Sequence, residues 1–495
     1  MSAPSRPASS ATADEAAAVA DGLYRCGSLI YTRKGLTLLF AWLLWGDFCF
    51  TLMETIVPSI LPLKLRALET PNWLIAMIMT TLPGVLNTTI CPWVSFKSDR
   101  HRGRWGRRIP FIISTLPFLT LFLLLLGWSE HLGAWIHRRW FSEGGFPPTT
   151  LILLLIGIFM VGFQFFNMFV NSVFWYLFND VVPVQFMGRF LGLFRLVAGI
   201  KSALYNFLIF KYAESHMPEI FTGVALLYFF GFGTMCLMVR EGEYPPPPDL
   251  GKRPGFFAQI RTFAVECYSL RFYWDYYLFC MLWSLSTCIS TFSIFLQKDV
   301  GLDLAKIGQI AGVATVISMC LTYPAGILVD RYHPLRVLLW VKVVVVTLTP
   351  FGLIWLFFDF HPDTVFAISL SFSMLLLPFN VLTEATSLPT QMRLFPKERF
   401  GQFCSANALL RAATVVVGGL LAGMFLDFTR WACGGSNFGY RFIPMWTIPC
   451  VTGSLLCLIR LYRRWQAAGG DLGYRPPTVD CAGPRSRPSL IAERE

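Results

Sequence analysis

Charge is what this sequence has least of. Only 14% of its 495 residues are Asp, Glu, Lys or Arg, against about 25% in soluble domains. Beside it stand 55% hydrophobic residues and 46 Phe. A soluble core cannot hide that much apolar surface, so lipid is the expected solvent. Histidine is rare too, with six in the chain, and no catalytic cluster forms around them, which weakens a polytopic enzyme as a reading. A Gly-rich phosphate loop with its Lys is missing, so direct coupling to ATP is not expected. The 13 Cys show neither disulfide nor metal-ligand spacing, and several (Cys49, Cys280, Cys320) sit in apolar runs. They read as small apolar side chains, with Cys433 in a short loop as the one candidate for exposed thiol chemistry. No metal site and no organic cofactor is expected. Met1–Lys34 is rich in Ala and Ser and lacks the apolar core of a cleavable signal, whereas the run from Leu36 is long enough to stay as a span.

A membrane span takes about 20 mostly apolar residues. Twelve are predicted, near Leu36–Leu61, Trp73–Phe96, Ile109–Leu126, Thr150–Val170, Arg189–Phe210, Phe221–Val239, Tyr273–Phe295, Gly308–Val329, Val337–Phe358, Val365–Thr386, Cys404–Leu426 and Phe442–Leu461. An even number puts both termini on one side. The 41 Lys and Arg exceed the 29 Asp and Glu, for a net charge of +12. In a soluble protein that excess would suggest nucleic acid; here its placement sets topology instead. With both tails cytoplasmic, the inner segments hold roughly 28 basic residues and the outer ones roughly 9. The short loop Lys97–Arg108 alone holds six.

The predicted organisation is a disordered cytoplasmic tail (1–35), a six-helix bundle (36–239), a cytoplasmic linker (240–271), a second six-helix bundle (272–461) and a cytoplasmic C-terminal tail (462–495). In the linker, Pro245–Pro248 is stiff and cannot be helix. Phe256–Leu270 carries Phe257, Ile260, Phe263, Ala264 and Cys267 at helical spacing, which predicts a surface helix along the membrane or a plain tether. Residues from Pro477 onward read as disordered.

Two motifs recur. Asp99-Arg100 follows the second span and Asp330-Arg331 the eighth, 231 residues apart. Pro183 to Gly188-Arg189-Phe190 follows the fourth span, and Pro396 to Gly401-Gln402-Phe403 follows the tenth, offset by 213. Two motifs in the same order at similar offsets argue for duplicated halves, which in membrane carriers clamp a site near the bilayer midplane. Asp99-Arg100 followed by Gly106-Arg107-Arg108 resembles the signature loop of the major facilitator superfamily. The stretch from Ser98 to Phe111 resembles more specifically the glycoside–pentoside–hexuronide:cation symporters and the sucrose carriers. Two positions depart from the pattern. Ser95 stands where the family has Gly, which Gly326 keeps in the second half. The second span holds no acid, whereas melibiose-type members bind their cation there.

The resemblance implies an all-α membrane protein of twelve transmembrane helices in two pseudo-symmetric six-helix bundles, the major facilitator fold. It also implies that the first, fourth, seventh and tenth spans line the cavity. The loops around Asp99, Arg100, Gly106, Arg107, Arg108, Asp330 and Arg331 are expected to gate, because charge-assisted hydrogen bonds between helix ends hold one state closed. The alternative is that these Arg only obey positive-inside topology.

Charges inside the hydrocarbon layer are costly and face a cavity or a partner. Asp47 and Glu54, with Thr51 between them, share one face of the first span. Asp47, desolvated near the midplane, suits proton uptake. Both acids are candidates for cation or proton coupling, the alternative being structural pairing with Arg195, Lys201 or Arg411. Gln164, Asn167 and Asn171 form an amide face suited to a polyhydroxylated ligand or to helix–helix hydrogen bonding. Trp283 suits stacking on a sugar ring or anchoring at the interface. Asn380 and Glu384 share a face, Asn380 a candidate for the solute and Glu384 for the gate. Arg195 and Arg411, in matching spans, are candidate gate residues through pairing with Asp47, Asp99 or Glu384; binding an anionic substrate is the alternative.

The expected function is secondary active transport of a small polar solute, a sugar or glycoside, coupled to H+ or Na+. An exporter of amphipathic compounds and a non-transporting receptor on the same fold are the alternatives. The expected partners are the small-molecule substrate and membrane lipid, with no nucleic acid. The chain is expected to act as a monomer in the plasma (inner) membrane.

Overall fold

The computed structural model describes residues 23–103, 105–141, 147–242 and 256–477. Twelve of its helices are long and apolar enough to cross a membrane: Arg33–Ala67, Asn72–Arg100, Ile109–Gly127, Pro148–Val181, Val184–Tyr212, Met217–Met238, Arg271–Asp299, Leu304–Arg331, Pro334–Phe357, Pro362–Leu394, Lys397–Ala432 and Asn437–Ala467. Each contains a predicted span almost entirely, and most are longer, because polar turns extend the helices beyond the apolar stretch. The chain is an all-α integral membrane protein apart from one short hairpin.

The described residues form two compact units. Residues 23–68 and 86–242 make the first; residues 69–85 and 256–477 make the second. The start of the second span therefore clusters with the second unit, although chain order assigns it to the first bundle. Gly423 explains the close approach there. A Cβ on it would lie 2.6 Å from the Asn72 carbonyl oxygen and 2.7 Å from Trp73 Cα. The Asp427 carboxylate then accepts from the backbone N–H groups of Asn72 and Trp73, each at 2.9 Å, so it caps the second span from another helix. The Tyr440 hydroxyl donates to Asn72 Oδ1 at 2.7 Å.

The core of the first unit is aromatic. Phe50 of the first span packs against Phe174 and Phe232, with ring centroids 5.6 and 5.7 Å apart. The second unit is built around Tyr273, Tyr277, Phe395, Phe403 and Trp465. The internal repeat has a structural counterpart in each unit. Short turns, Val184–Phe186 and Lys397–Arg399, lead into the fifth and eleventh spans. Phe190 then packs on Phe178 at 5.1 Å, and Phe403 on Phe395 at 5.4 Å.

Ordered residues lie inside both expected tails. Leu23–Cys26 and Leu29–Thr32 pair as an antiparallel hairpin, β1 and β2, inside the stretch expected to be disordered. Its two-residue turn, Gly27-Ser28, is standard hairpin chemistry. Tyr24 stands edge-on to Phe186 at 4.8 Å, and Thr32 Oγ1 caps the first span through the Gly35 N–H at 3.1 Å. At the other end the last span runs to Ala467. Tyr474 donates to the Leu394 carbonyl at 2.8 Å, so the start of the expected tail is docked on the second unit. In the linker, Phe256–Tyr268 is helical as its spacing predicts. Cys267 is buried and Tyr268 donates to the Ala406 carbonyl at 3.1 Å, so this helix packs on the second unit. Pro245–Pro248, residues 1–22 and residues 478–495 lie outside the described residues.

A helix of Ser129–Trp140, absent from the sequence reading, follows the third span and pairs Glu130 with Lys64.

Candidate functional site

In the first unit the polar residues of four spans converge. Asp47 is fully buried, and neither carboxyl oxygen has a hydrogen-bond partner. Seven residues on, Glu54 accepts from Asn167 Nδ2 at 3.2 Å and Asn171 Nδ2 at 3.1 Å. Asn171 is not at the end of the fourth span as expected, because the helix continues through an aromatic stretch to Val181. Lys201 of the fifth span is buried and donates to the Thr51 carbonyl at 3.2 Å and Thr55 Oγ1 at 2.8 Å. Its ammonium acts electrostatically on both Asp47 and Glu54. Gln164 Oε1, Asn167 Oδ1 and the Tyr228 hydroxyl are buried without partners among the described residues, and Tyr205 is buried beside them. Such groups are rare in folded proteins, and water or a polar solute would satisfy them. The site is thus a set of acids, amides and phenols around one lysine.

Lys201 is the residue the sequence reading undervalued, naming it only as one possible counter-ion of Asp47. Arg195 was preferred for pairing, but it is exposed and makes no ion pair among the described residues. The two lie six positions apart on one helix, so they face different directions.

The first Asp-Arg loop is a closed network within the first unit. Arg107 donates through Nε to Asp180 Oδ2 at 3.0 Å, and Arg108 Nε reaches the same oxygen at 3.1 Å. Arg108 also pairs with Asp99 at 2.5 Å and Ser98 Oγ at 2.5 Å. Glu241 accepts from the backbone N–H groups of Arg107, Arg108 and Ile109 at 2.9, 2.8 and 2.6 Å, which caps the third span. Gly106 is required for two reasons. Its φ is +98°, and a Cβ there would lie 2.5 Å from the Glu241 side chain. Arg100 lines a separate open pocket with Trp93, Lys97 and His101. Asp180 and Glu241 hold this loop together and were not singled out from sequence.

Cys26 of β1 docks on the same node, its thiol 3.5 Å from the Asp180 carbonyl. Burial, reinforced by the Asp180 charge, pushes that thiol above its ordinary value.

The second unit places its residues differently. Lys342 of the ninth span is 1% exposed, and its ammonium has no hydrogen-bond partner. It sits over the Trp283 ring, 2.8 Å from the centroid. Arg411 is exposed and donates through Nε to Ser284 Oγ at 3.3 Å; the expected pairing with an acid is not made. Asn380 and Glu384 are exposed. Asp330 is exposed and forms no ion pair among the described residues, and Arg331 stacks on its neighbour Tyr332 at 5.9 Å. Among the charges that do pair are Asp275 with Arg464 at 2.8 Å and Arg441 with Asp299 at 2.7 Å and Asp359 at 2.6 Å.

Residues 212–422 match the family model described as Major Facilitator Superfamily. The chain is 27% identical over 187 residues to the lysosomal dipeptide transporter MFSD1 of Bos taurus, a match covering 38% of this chain and 36% of that relative's length. Among solved structures it resembles a bacterial homologue of the iron transporter ferroportin in its inward-facing state. The TM-score is 0.64 at 12% identity, covering 86% of this chain and 99% of that one. It also resembles a D-xylose–proton symporter, with a TM-score of 0.55 at 12% identity over 84% of this chain and 96% of that one. The likeness to these solved structures shows the major facilitator fold. The matched family and the neighbours are transporters, not enzymes.

Proposed function

We propose that this protein is a secondary active transporter that moves a small polar solute, a sugar or glycoside, by alternating access coupled to a proton or cation gradient. The observation that carries the proposal is Asp47, a fully buried carboxyl with neither oxygen hydrogen-bonded, beside a lysine that acts on it. A charge held so deep costs several kcal/mol unless it is compensated, and binding a proton or a sodium ion relieves that cost. Solute binding that alters the Lys201 and Glu54 contacts then changes what Asp47 holds, which couples the two fluxes. Amide groups at Gln164, Asn167 and Asn171 supply donors and acceptors for hydroxyls. The sugar reading draws on the signature loop around Asp99 and on the likeness to the xylose symporter. A peptide cargo is the second reading, favoured by similarity to the bovine dipeptide transporter. We place the protein in the plasma (inner) membrane as a monomer with both termini cytoplasmic, following the basic loop Lys97–Arg108.

The test is uptake of labelled sugars and dipeptides into proteoliposomes under an imposed proton or sodium gradient. Gradient-driven accumulation of a sugar is expected, and Asp47→Asn should abolish it. Accumulation of dipeptides alone would replace the cargo, and no accumulation of any solute would remove the transport reading.

A further inference from the structure

In the second unit Lys342 and Arg411 make no ion pair with an acid among the described residues. Lys342 is 1% exposed, and none of its three donors is used. The Trp283 face, 2.8 Å away, stabilises a cation but accepts no hydrogen bond in the way a carboxylate does. Arg411 commits only Nε, to Ser284 Oγ at 3.3 Å, which leaves both terminal nitrogens of the guanidinium available. Both cations act electrostatically on the same buried thiol, Cys280, so they occupy one neighbourhood. Glu384 is the acid that acts on Lys342. It is exposed and forms no ion pair among the described residues.

We infer that Lys342 and Arg411 bind a carboxylate group of the transported solute, with Trp283 packing against the solute beside it. The inference rests on the transport reading above and narrows its solute class from a neutral to an acidic compound. A buried ammonium with unused donors gains most from a ligand that brings both charge and acceptors. The arginine fork, anchored by Ser284 at Nε, offers its terminal nitrogens to the second carboxylate oxygen. Sugar acids and short peptides both carry that group, and paired probes separate them.

Binding of D-glucuronate and D-glucose, and of glycylglycine and glycylglycine amide, to the purified full chain in detergent tests the inference. In at least one pair the carboxylate member should bind ~10-fold or more tightly than its neutral partner. Lys342→Gln should remove that preference, and Lys342→Arg should retain most of it. Arg411→Gln, at an exposed position, serves where Lys342→Gln does not give folded protein, and should lower the preference as well. Equal binding within both pairs, no binding by any probe, or a preference unchanged in these variants overturns the inference. Proteoliposome uptake separates this from the parent reading. Accumulation of neutral sugar without carboxylate preference keeps transport and rejects the carboxylate site. Carboxylate-selective binding that Lys342→Gln abolishes, with no accumulation, does the reverse.

Discussion

At the first Asp-Arg loop, Arg107 and Arg108 converge on Asp180 while Glu241 caps the helix that follows. At the second, Asp330 stands exposed and without an ion pair among the described residues, and the helix that follows is capped by a histidine, with His333 Nδ1 accepting from the Leu335 N–H at 3.3 Å. The two loops share a dipeptide and a place in the repeat, yet one is a network of charges and the other is held by a neutral ring. The repeat keeps the position of the motif. Its partners were set separately, by whichever acids the neighbouring helix ends offer. The shared dipeptide therefore marks a position in the repeat, and the surrounding residues decide how strongly the loop there is held.

The largest effect is expected at Asp180. Its side chain is 7% exposed and joins two arginines. Asp180→Ala leaves both guanidinium groups short of a partner and should cost about 3 kcal/mol or more. That loss reads as a clear drop in the thermal unfolding midpoint of the purified protein. Asp330→Ala should change the midpoint by no more than a typical surface substitution, about 0.5 kcal/mol. Equal losses in the two variants would erase the contrast between the loops.

Next come the two acids that cap helices from a distance. Glu241→Ala and Asp427→Ala each remove a carboxylate that accepts backbone N–H groups at a helix start. Each should cost about 1–2 kcal/mol in unfolding experiments. Gly106→Ala should fall in the same range, about 1–2 kcal/mol, because a side chain is strained at its φ of +98°. If Gly106→Ala proves neutral, the loop is looser than its contacts imply.

A smaller, pH-dependent effect belongs to the second loop. His333 packs on Trp465 at 4.4 Å. Burial, helped by the Arg393 charge, pushes its pKa down from 6.5 to about 4. The unfolded chain therefore takes up the proton first as pH falls. Stability from the neutral ring is complete above pH about 6.5 and declines between about 6.5 and 4. His333→Gln should flatten the unfolding midpoint across that window. A profile identical to wild type would show that the ring carries no such weight.

The fold was legible because lipid imposes a coarse rule: about 20 apolar residues make a span, and twelve such runs lie plainly in the chain. The hairpin was not, since strands of four residues carry too short an alternation to separate from a tail. Asp47, Glu54, Asn167 and Asn171 could be read from helical spacing, and the structure brings the two amides onto Glu54. Their contacts across helices could not. Asp180 and Glu241 lie 72 and 133 residues from Arg108, and nothing local links them. Lys342 left a signal that spacing rules overlook, a lone lysine in the apolar run Val341-Lys342-Val343-Val344. An isolated charge in such a run is costly enough to ask what it serves.

Asp47 carries the central claim, and a pair of fluxes in proteoliposomes tests it most directly. Accumulation against a gradient requires coupling, whereas exchange of labelled for unlabelled solute at equal concentrations requires only that the carrier binds and reorients. The account predicts that Asp47→Asn loses gradient-driven accumulation and keeps exchange. Accumulation equal to wild type in that variant would contradict it.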